Sequence, residues 1–324
     1  MTRTAVAYWS TGPGRGELRE ENLREPGPGE VLVRALYSGV SRGTEALVGS
    51  GRVPPSQHAT MRAPFQEGAF PFPVKYGYAS VGEVVAGDPA LLGATVFCLH
   101  PHQTAYVVPA AAVHRLPEGV PPARAVLAAN TETALNVAWD AGALPGWRVH
   151  VIGGGAVGCL TAYLLARLPG AEVTLADTDP ARAAVARALG VPFAAPADLA
   201  PDADLVVHAS GTAAGLRRAL EVAGLEARVV EASWHGDGEV PLPLGEAFHS
   251  RRLILLGSQV GAVSPASRPR WPHARRMAKA LELLRDPALD ALVTGEAPFA
   301  TLPALMPALA AGPGGVLCQR IIYP

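Results

Sequence analysis

Ten residues, Val149-His-Val-Ile-Gly-Gly-Gly-Ala-Val-Gly158, constrain the fold of this chain more than any other stretch. Their apolar beginning reads as a buried strand. Gly153, Gly155 and Gly158 then fall in the G-x-G-x-x-G spacing, with Ala156 and Val157 between the last two. Leu160, Leu164, Leu165 and Leu168 follow at helical intervals, and Glu172-Val-Thr-Leu-Ala reads as a second strand ending at Asp177. Each part has a physical job. Gly153 allows a tight turn, Gly155 lets backbone approach a pyrophosphate, and Gly158 lets helix pack closely on strand. The helix start offers unpaired N–H groups to phosphate. Glycine turns also occur without ligands, but strand, helix and distal carboxylate together point to dinucleotide binding.

Around this motif the chain changes character twice. Up to about Gly119 the signals are strand and turn: Met1-Thr-Arg-Thr-Ala-Val-Ala-Tyr-Trp reads as a strand, and Glu30-Val-Leu-Val-Arg-Ala-Leu-Tyr alternates after Pro26-Gly-Pro-Gly. Residues 49–73 form a long aperiodic segment whose Phe65, Phe70 and Phe72 predict an ordered loop over something apolar. From Pro121 helices and strands alternate: a helix over 123–141, then one capped by Asp179 and Pro180, and strands at Leu205, Arg228 and Leu253. That alternation predicts a parallel, doubly wound α/β sheet. Past Gly261 come a Pro/Ser/Arg-rich loop, helices near 273–285 and 303–311, and a last strand at 316–322.

Composition narrows the function classes. A net charge of −1 gives no electrostatic case for nucleic acid or an anionic membrane. Cys98, Cys159 and Cys318 are few and scattered, which argues for a reducing compartment over a disulfide framework. No apolar run reaches the length of a membrane span, and the N-terminus lacks a signal-peptide core, so a cytoplasmic enzyme is expected.

The residues also resemble a known family. Pro28-Gly-Glu-Val-Leu-Val, Ser38-Gly-Val, Pro145-Gly-Trp-Arg-Val-His-Val-Ile-Gly-Gly-Gly and the closing Pro298-Phe-Ala, Gly312 and Val316 are similar to the medium-chain dehydrogenase/reductases. Ser38-Gly-Val-Ser-Arg-Gly-Thr-Glu with Gly51-Arg-Val-Pro resembles the bacteriochlorophyllide a dehydrogenase-like branch. The resemblance implies a discontinuous chaperonin-10-like, β-rich catalytic domain, 1–119 with 262–324, and a Rossmann domain at 120–261. It further implies a homodimer through the Rossmann sheet edge near 253–256. Arg42 is similar to a family pyrophosphate contact and Thr133 to another cofactor contact. Surface and helix-interior roles explain these two equally well.

The departures concern zinc. Family zinc ligands would fall at Ser41 or Arg42, at Tyr78 and near Ala129, with Glu132 one turn away. A catalytic zinc needs three N, S or O ligands, and these positions supply too few; loss of that site is expected. A side chain must then move the proton. In Cys98-Leu-His100-Pro-His102, alternation could set Cys98, His100 and His102 on one face. They could be proton-transfer groups, structural residues, or ligands of a relocated metal. His100 is the leading candidate because it lies where the family strand lines the substrate pocket and histidine titrates near neutrality. Ser41, Thr44, Glu45 and Tyr78 could hydrogen-bond a substrate oxygen or serve ordinary turn packing. Ser210, Gly211 and Ser258 sit at the carboxyl ends of predicted strands, where such sheets bind ligands.

Asp177 favours NAD over NADP, since its carboxylate accepts from a ribose 2′-hydroxyl and repels a 2′-phosphate. The expected activity is NAD-dependent interconversion of a secondary alcohol and a ketone on a sizeable, ring-bearing substrate. A zinc-free quinone- or enoyl-type reductase and a non-catalytic nucleotide-binding redox sensor are the alternatives.

Overall fold

The computed structural model describes residues 3–312 and 315–324, and all counts are of these residues. Met1 and Thr2 of the expected first strand, and Pro313 and Gly314 of the closing segment, lie outside them. In chain order the elements begin with β1 (Arg3–Gly12), β2 (Arg15–Leu23), β3 (Glu30–Ser41), α1 (Arg42–Gly49), β4 (Glu67–Gly68), β5 (Val74–Lys75) and β6 (Ser80–Gly87). Next come β7 (Thr95–Cys98), β8 (Ala105–Pro109), β9 (Val113–Arg115), α2 (Pro122–Ala125) and α3 (Ala128–Ala141). The α/β portion follows as β10 (Arg148–Ile152), α4 (Ala156–Leu165), β11 (Glu172–Ala176), α5 (Arg182–Ala188), β12 (Phe193–Ala194), β13 (Ala203–His208), α6 (Ala213–Val222), β14 (Ala223–Glu231) and β15 (Ile254–Gly257). The chain closes with α7 (His273–Leu283), β16 (Val293–Pro298), α8 (Leu302–Ala311) and β17 (Cys318–Ile322). No helix among the described residues is long and apolar enough to cross a membrane.

Two compact units emerge. The first contains residues 1–129, 281–285 and 293–324; the second contains 130–280 and 286–292. These boundaries correct the expected 119/120 and 261/262 divisions, for identifiable reasons. Arg124 donates to the carbonyls of Leu284 and Arg285, and Arg320 donates to that of Ala123, holding 120–129 in the first unit. Fully buried Arg276 bonds Glu132 and Asn136, holding the start of α7 against α3.

The first unit is β-rich. One sheet runs β16-β17-β3-β6-β7-β9 with β8 also pairing β3, and a smaller one runs β2-β1-β5-β4. Val31, Val33, Val84, Val96, Tyr106 and Val108 fill one core, as strand alternation requires of a face turned inward. Tyr8, Val40, Phe299, Leu302, Ile321 and Tyr323 fill another. The segment 49–73 is ordered as expected, with Phe70 buried and packed against His58 and Tyr76.

The second unit is a parallel sheet in the order β12-β11-β10-β13-β14-β15. Val149, Val151, Leu205 and Val207 are buried, as a sheet covered on both faces demands. Two local expectations shift. The predicted 123–141 helix breaks between α2 and α3, and α5 starts at Arg182 because Asp179 Oδ1 first accepts the Ala181 N–H in a turn (3.0 Å).

Candidate active site

In the second unit, Gly153 to Gly158 connects β10 to α4. Gly153 has φ +114°, and a Cβ there would lie 2.5 Å from the Ala209 carbonyl carbon. A Cβ on Gly158 would lie 1.8 Å from the Gly153 oxygen. Both glycines are required by packing alone. Gly155 differs: it is exposed, its φ is −72°, and a Cβ would meet nothing within 4 Å. It caps α4 without a side-chain hydrogen bond, so Ala156 and Val157 open a helix whose first N–H groups no cap side chain occupies, the arrangement that suits an anion. Asp177 closes the cradle: Oδ2 accepts the Gly154 N–H (2.6 Å) and Oδ1 the Asp179 N–H (2.8 Å). Its half-exposed carboxylate keeps lone pairs for a further donor. Arg182, the first residue of α5, also borders this turn, its Cγ 3.2 Å from a Cβ built on Gly154.

The remaining cofactor candidates are polar and partly exposed. Half-buried Ser210 bonds His208 Nε2 (2.6 Å), and the Gly211 N–H donates to Ser233 Oγ (3.0 Å). Ser258 donates to Asp140 Oδ2 (2.6 Å), and Thr133 is half-buried on α3. In the first unit, Arg42 donates to the Gly312 carbonyl (2.7 Å).

The first unit gathers Ser41, Thr44, Glu45 and Tyr78. The short helix α1, which the sequence pattern did not reveal, brings Thr44 and Glu45 beside Tyr78. The Tyr78 hydroxyl bonds the side chains of Ser41 and Thr44. All three are half-buried. Burial, with the Glu45 charge adding to it, pushes the Tyr78 phenol up to about 12, against lowering by Ser41 and Thr44. Behind them, buried Glu45 accepts the Ser41 N–H on Oε1 (2.8 Å) and pairs with His102 Nε2 through Oε2 (2.8 Å). His102 Nδ1 lies 2.7 Å from Ser38 Oγ, itself 2.9 Å from the Tyr323 hydroxyl. Glu45, His102, Ser38 and Tyr323 thus form one buried polar chain, and each member has a partner.

His100 does not join that chain, which weighs against it as the leading proton-transfer candidate. Its ring stacks on Tyr106 at 3.7 Å and near Phe65 at 5.6 Å, and Nδ1 donates to the Pro101 carbonyl (3.0 Å). Burial, opposed by that hydrogen bond, pushes it down to about 3. Its edge lines a groove of about 600 Å³ with Trp9, Glu21 and Glu67, to which Ser41, Thr44, Glu45 and Tyr78 contribute nothing. The Cys98/His100/His102 metal alternative fails too. Cys98 turns into the valine core, and among the described residues the only metal-competent trio is His208, Glu231 and His235. The strand β7 ends at Cys98, and the His100 N–H donates to the Cys98 carbonyl (2.9 Å) in a tight turn, so the alternation that would have set the three side chains on one face stops before His100.

Comparison with known proteins bears on the fold as a whole. Residues 149–196, the stretch from β10 through β12, match the family described as ketopantoate reductase PanE/ApbA. A 2-desacetyl-2-hydroxyethyl bacteriochlorophyllide A dehydrogenase from Rhodobacter capsulatus is 32% identical over 179 residues, 49% of this chain and 52% of that protein. The chain spans about half the length of that relative, and less of its Cereibacter sphaeroides counterpart. L-idonate 5-dehydrogenase from Escherichia coli superposes with a TM-score of 0.81 at 16% identity, covering 100% of this chain and 99% of that one. A Sinorhizobium meliloti structure bound to NADP gives 0.78 at 20% identity, covering 99% of each chain. This chain has the medium-chain dehydrogenase/reductase fold.

Its first unit is the chaperonin-10-like domain of that fold and its second the Rossmann domain. The positions where the resemblance places zinc ligands carry a hydroxyl at Ser41, a phenol at Tyr78 and a buried methyl at Ala129. Glu132, one turn beyond, is spent on Arg276 at 3.0 Å. Burial pushes its carboxyl up despite that charge. No thiolate or imidazole stands at these positions, and three suitable donors do not converge there, so this set does not fit zinc.

Proposed function

We propose that this chain is a nicotinamide-nucleotide-dependent oxidoreductase interconverting an alcohol and a ketone, with hydroxyl groups at the positions expected for zinc ligands. The observation that carries this reading is the Tyr78–Ser41–Thr44 cluster backed by the buried Glu45–His102 pair. The glycine cradle would hold the pyrophosphate on the α4 N-terminus, and Asp177 would accept a ribose hydroxyl, favouring NAD. Bound nicotinamide supplies or accepts the hydride.

The residues handle the proton. In the reducing direction Tyr78 donates its hydroxyl proton to the substrate oxygen and is reprotonated through Ser41 or Thr44, which takes up one proton from solvent as it gives one to Tyr78. In the oxidising direction the path reverses. A phenol held near 12 stays protonated at neutral pH, so it acts as donor without metal. Glu45 and His102 are too buried to touch substrate. They position Ser41 by fixing its N–H. The name of the Rhodobacter relative contains a hydroxyethyl group on a large ring, which supports a secondary alcohol on a ring-bearing substrate here. Partly exposed Phe65 offers such a ring an apolar contact. A homodimer through β15 fits the same reading, because Ile254 and Leu255 lie 51% and 37% exposed on the sheet's edge strand.

Purified protein tested with NADH and NADPH on ketone, quinone and enone panels checks the reaction class. Tyr78→Phe should lower kcat on the best substrate by ~10²–10⁴, the range for a general acid or base, with nucleotide affinity unchanged. Chelators should leave wild-type turnover intact. Turnover restricted to enones or quinones would move the reading to a conjugated-bond reductase, and chelator-sensitive turnover would overturn the zinc-free mechanism.

A further inference from the structure

The cluster at the ends of β13 and β14 is used by neither the proton path nor the cradle. His208 ends β13 and is buried; Glu231 ends β14; His235 lies four residues on, in the turn that follows. Glu231 Oε2 lies 2.6 Å from His208 Nδ1 and 3.4 Å from His235 Nε2. One atom from each residue falls within 4.8 Å of the other two. Two imidazoles from separate segments therefore converge on one carboxylate oxygen. The geometry points to a divalent transition-metal site with His208 Nδ1, Glu231 Oε2 and His235 Nε2 as ligands.

Distances and chemistry agree. Bonds of about 2.0–2.2 Å to a tetrahedral centre set ligand atoms roughly 3.3–3.5 Å apart. The observed separations bracket that spacing, so small side-chain rotations suffice. A two-imidazole, one-carboxylate set suits zinc, cobalt(II) and nickel, and it leaves a position open for water.

The surroundings orient the ligands. The Ser233 N–H donates to Glu231 Oε1 (2.7 Å), leaving Oε2 for the ion. Without an ion, His208 Nδ1–H donates to Glu231 (2.6 Å); on metal binding the proton would move to Nε2, 2.6 Å from Ser210 Oγ, freeing the Nδ1 lone pair for the ion. Ligating histidines commonly donate their second nitrogen in this way. Glu231 and His235 side chains remain 15% and 19% exposed, which provides an entry path. The ion would cross-link two strand ends and the 231–235 turn.

Cobalt(II) titration of the full-length protein, read by visible d–d absorption, tests the assignment, with zinc content measured after dialysis. One equivalent should bind per chain. His235→Ala and Glu231→Gln should each weaken binding at least ~10-fold, the loss seen when even an outer partner of a metal site is removed. Metal in 100-fold excess over its Kd should raise wild-type Tm by a few degrees and leave both variants unmoved. His235 sits in an accessible turn, so an unchanged metal-free Tm will show that its variant is folded. Absence of saturable binding would overturn the site, as would binding that survives both substitutions. A thiolate-to-cobalt charge-transfer band would also overturn it, by placing the ion on a cysteine. NADH titration of the same preparation reads the cofactor reading separately.

Discussion

Gly155→Ala distinguishes what the protein requires from what a nucleotide requires. Gly155 has φ −72° and ψ 177°, a conformation open to any residue, and a Cβ there meets nothing within 4 Å. Alanine should therefore fit without strain. Reduced freedom of the unfolded chain should even stabilise the protein by about 0.4–1 kcal/mol, or about 1–4 °C in the Tm of a domain this size. A pyrophosphate on the α4 N-terminus would occupy the same open space. The dissociation constant for NADH should rise at least tenfold, equivalent to about 1.4 kcal/mol. Gly158→Ala is the structural contrast. Its Cβ would lie 1.8 Å from the Gly153 oxygen, so helix and turn must part by roughly 1.2 Å to reach the 3.0 Å limit of real contacts. Such overpacking costs typically ~1–3 kcal/mol, and this variant should lose both stability and binding. Calorimetric titration with NADH and differential scanning calorimetry on the same samples read the two effects apart. Gly155→Ala protein that binds NADH as tightly as wild type would refute the cradle argument.

The other expectations address the remaining site residues. His100 is held near 3 against an ordinary 6.5, so its neutral form contributes stability that is complete above about pH 6.5 and lost as pH falls toward 3. His100→Phe, which keeps the stack on Tyr106, should flatten the acid limb of the urea midpoint and leave kcat within about threefold; a ~10²-fold loss of kcat in folded protein would return the proton role to His100. Asp177→Asn keeps an acceptor but removes the charge, so any NADH preference over NADPH should shrink by about tenfold. Wild-type protein that binds NADPH more tightly in titration would contradict the Asp177 argument. Ile254→Lys on the β15 edge should convert a dimer to a monomer by light scattering, and a wild-type monomer at micromolar concentration would remove the dimer proposal.

The sequence by itself determined what depends on local backbone chemistry. Gly153 and Gly158 could be read because a strand–turn–helix with close approach needs them at that spacing, whatever surrounds it, whereas Gly155 answers to a ligand and not to the fold. Asp177 was legible for the same reason: it ends the next strand of a parallel pair. Alternating valines announced the β-rich unit, and strand–helix alternation announced the doubly wound sheet. Long-range pairing decided the rest. His100 and His102 are two residues apart and chemically identical, yet one stacks on Tyr106 while the other bonds Glu45, 57 residues away along the chain. Period-two reasoning does not hold there because β7 ends at Cys98 and the chain turns before His100. Nothing local marks Ser38, Tyr323 and His102 as one chain of hydrogen bonds, since Ser38 and Tyr323 are separated by 285 positions. The domain boundaries moved for a similar reason. Buried Arg276 has to satisfy its guanidinium on Glu132 and Asn136, and only the folded sheet shows where those acceptors lie. His208, Glu231 and His235 carry no spacing that sequence could flag, because parallel strands bring their carboxyl ends together only after the intervening helix has folded back across the sheet.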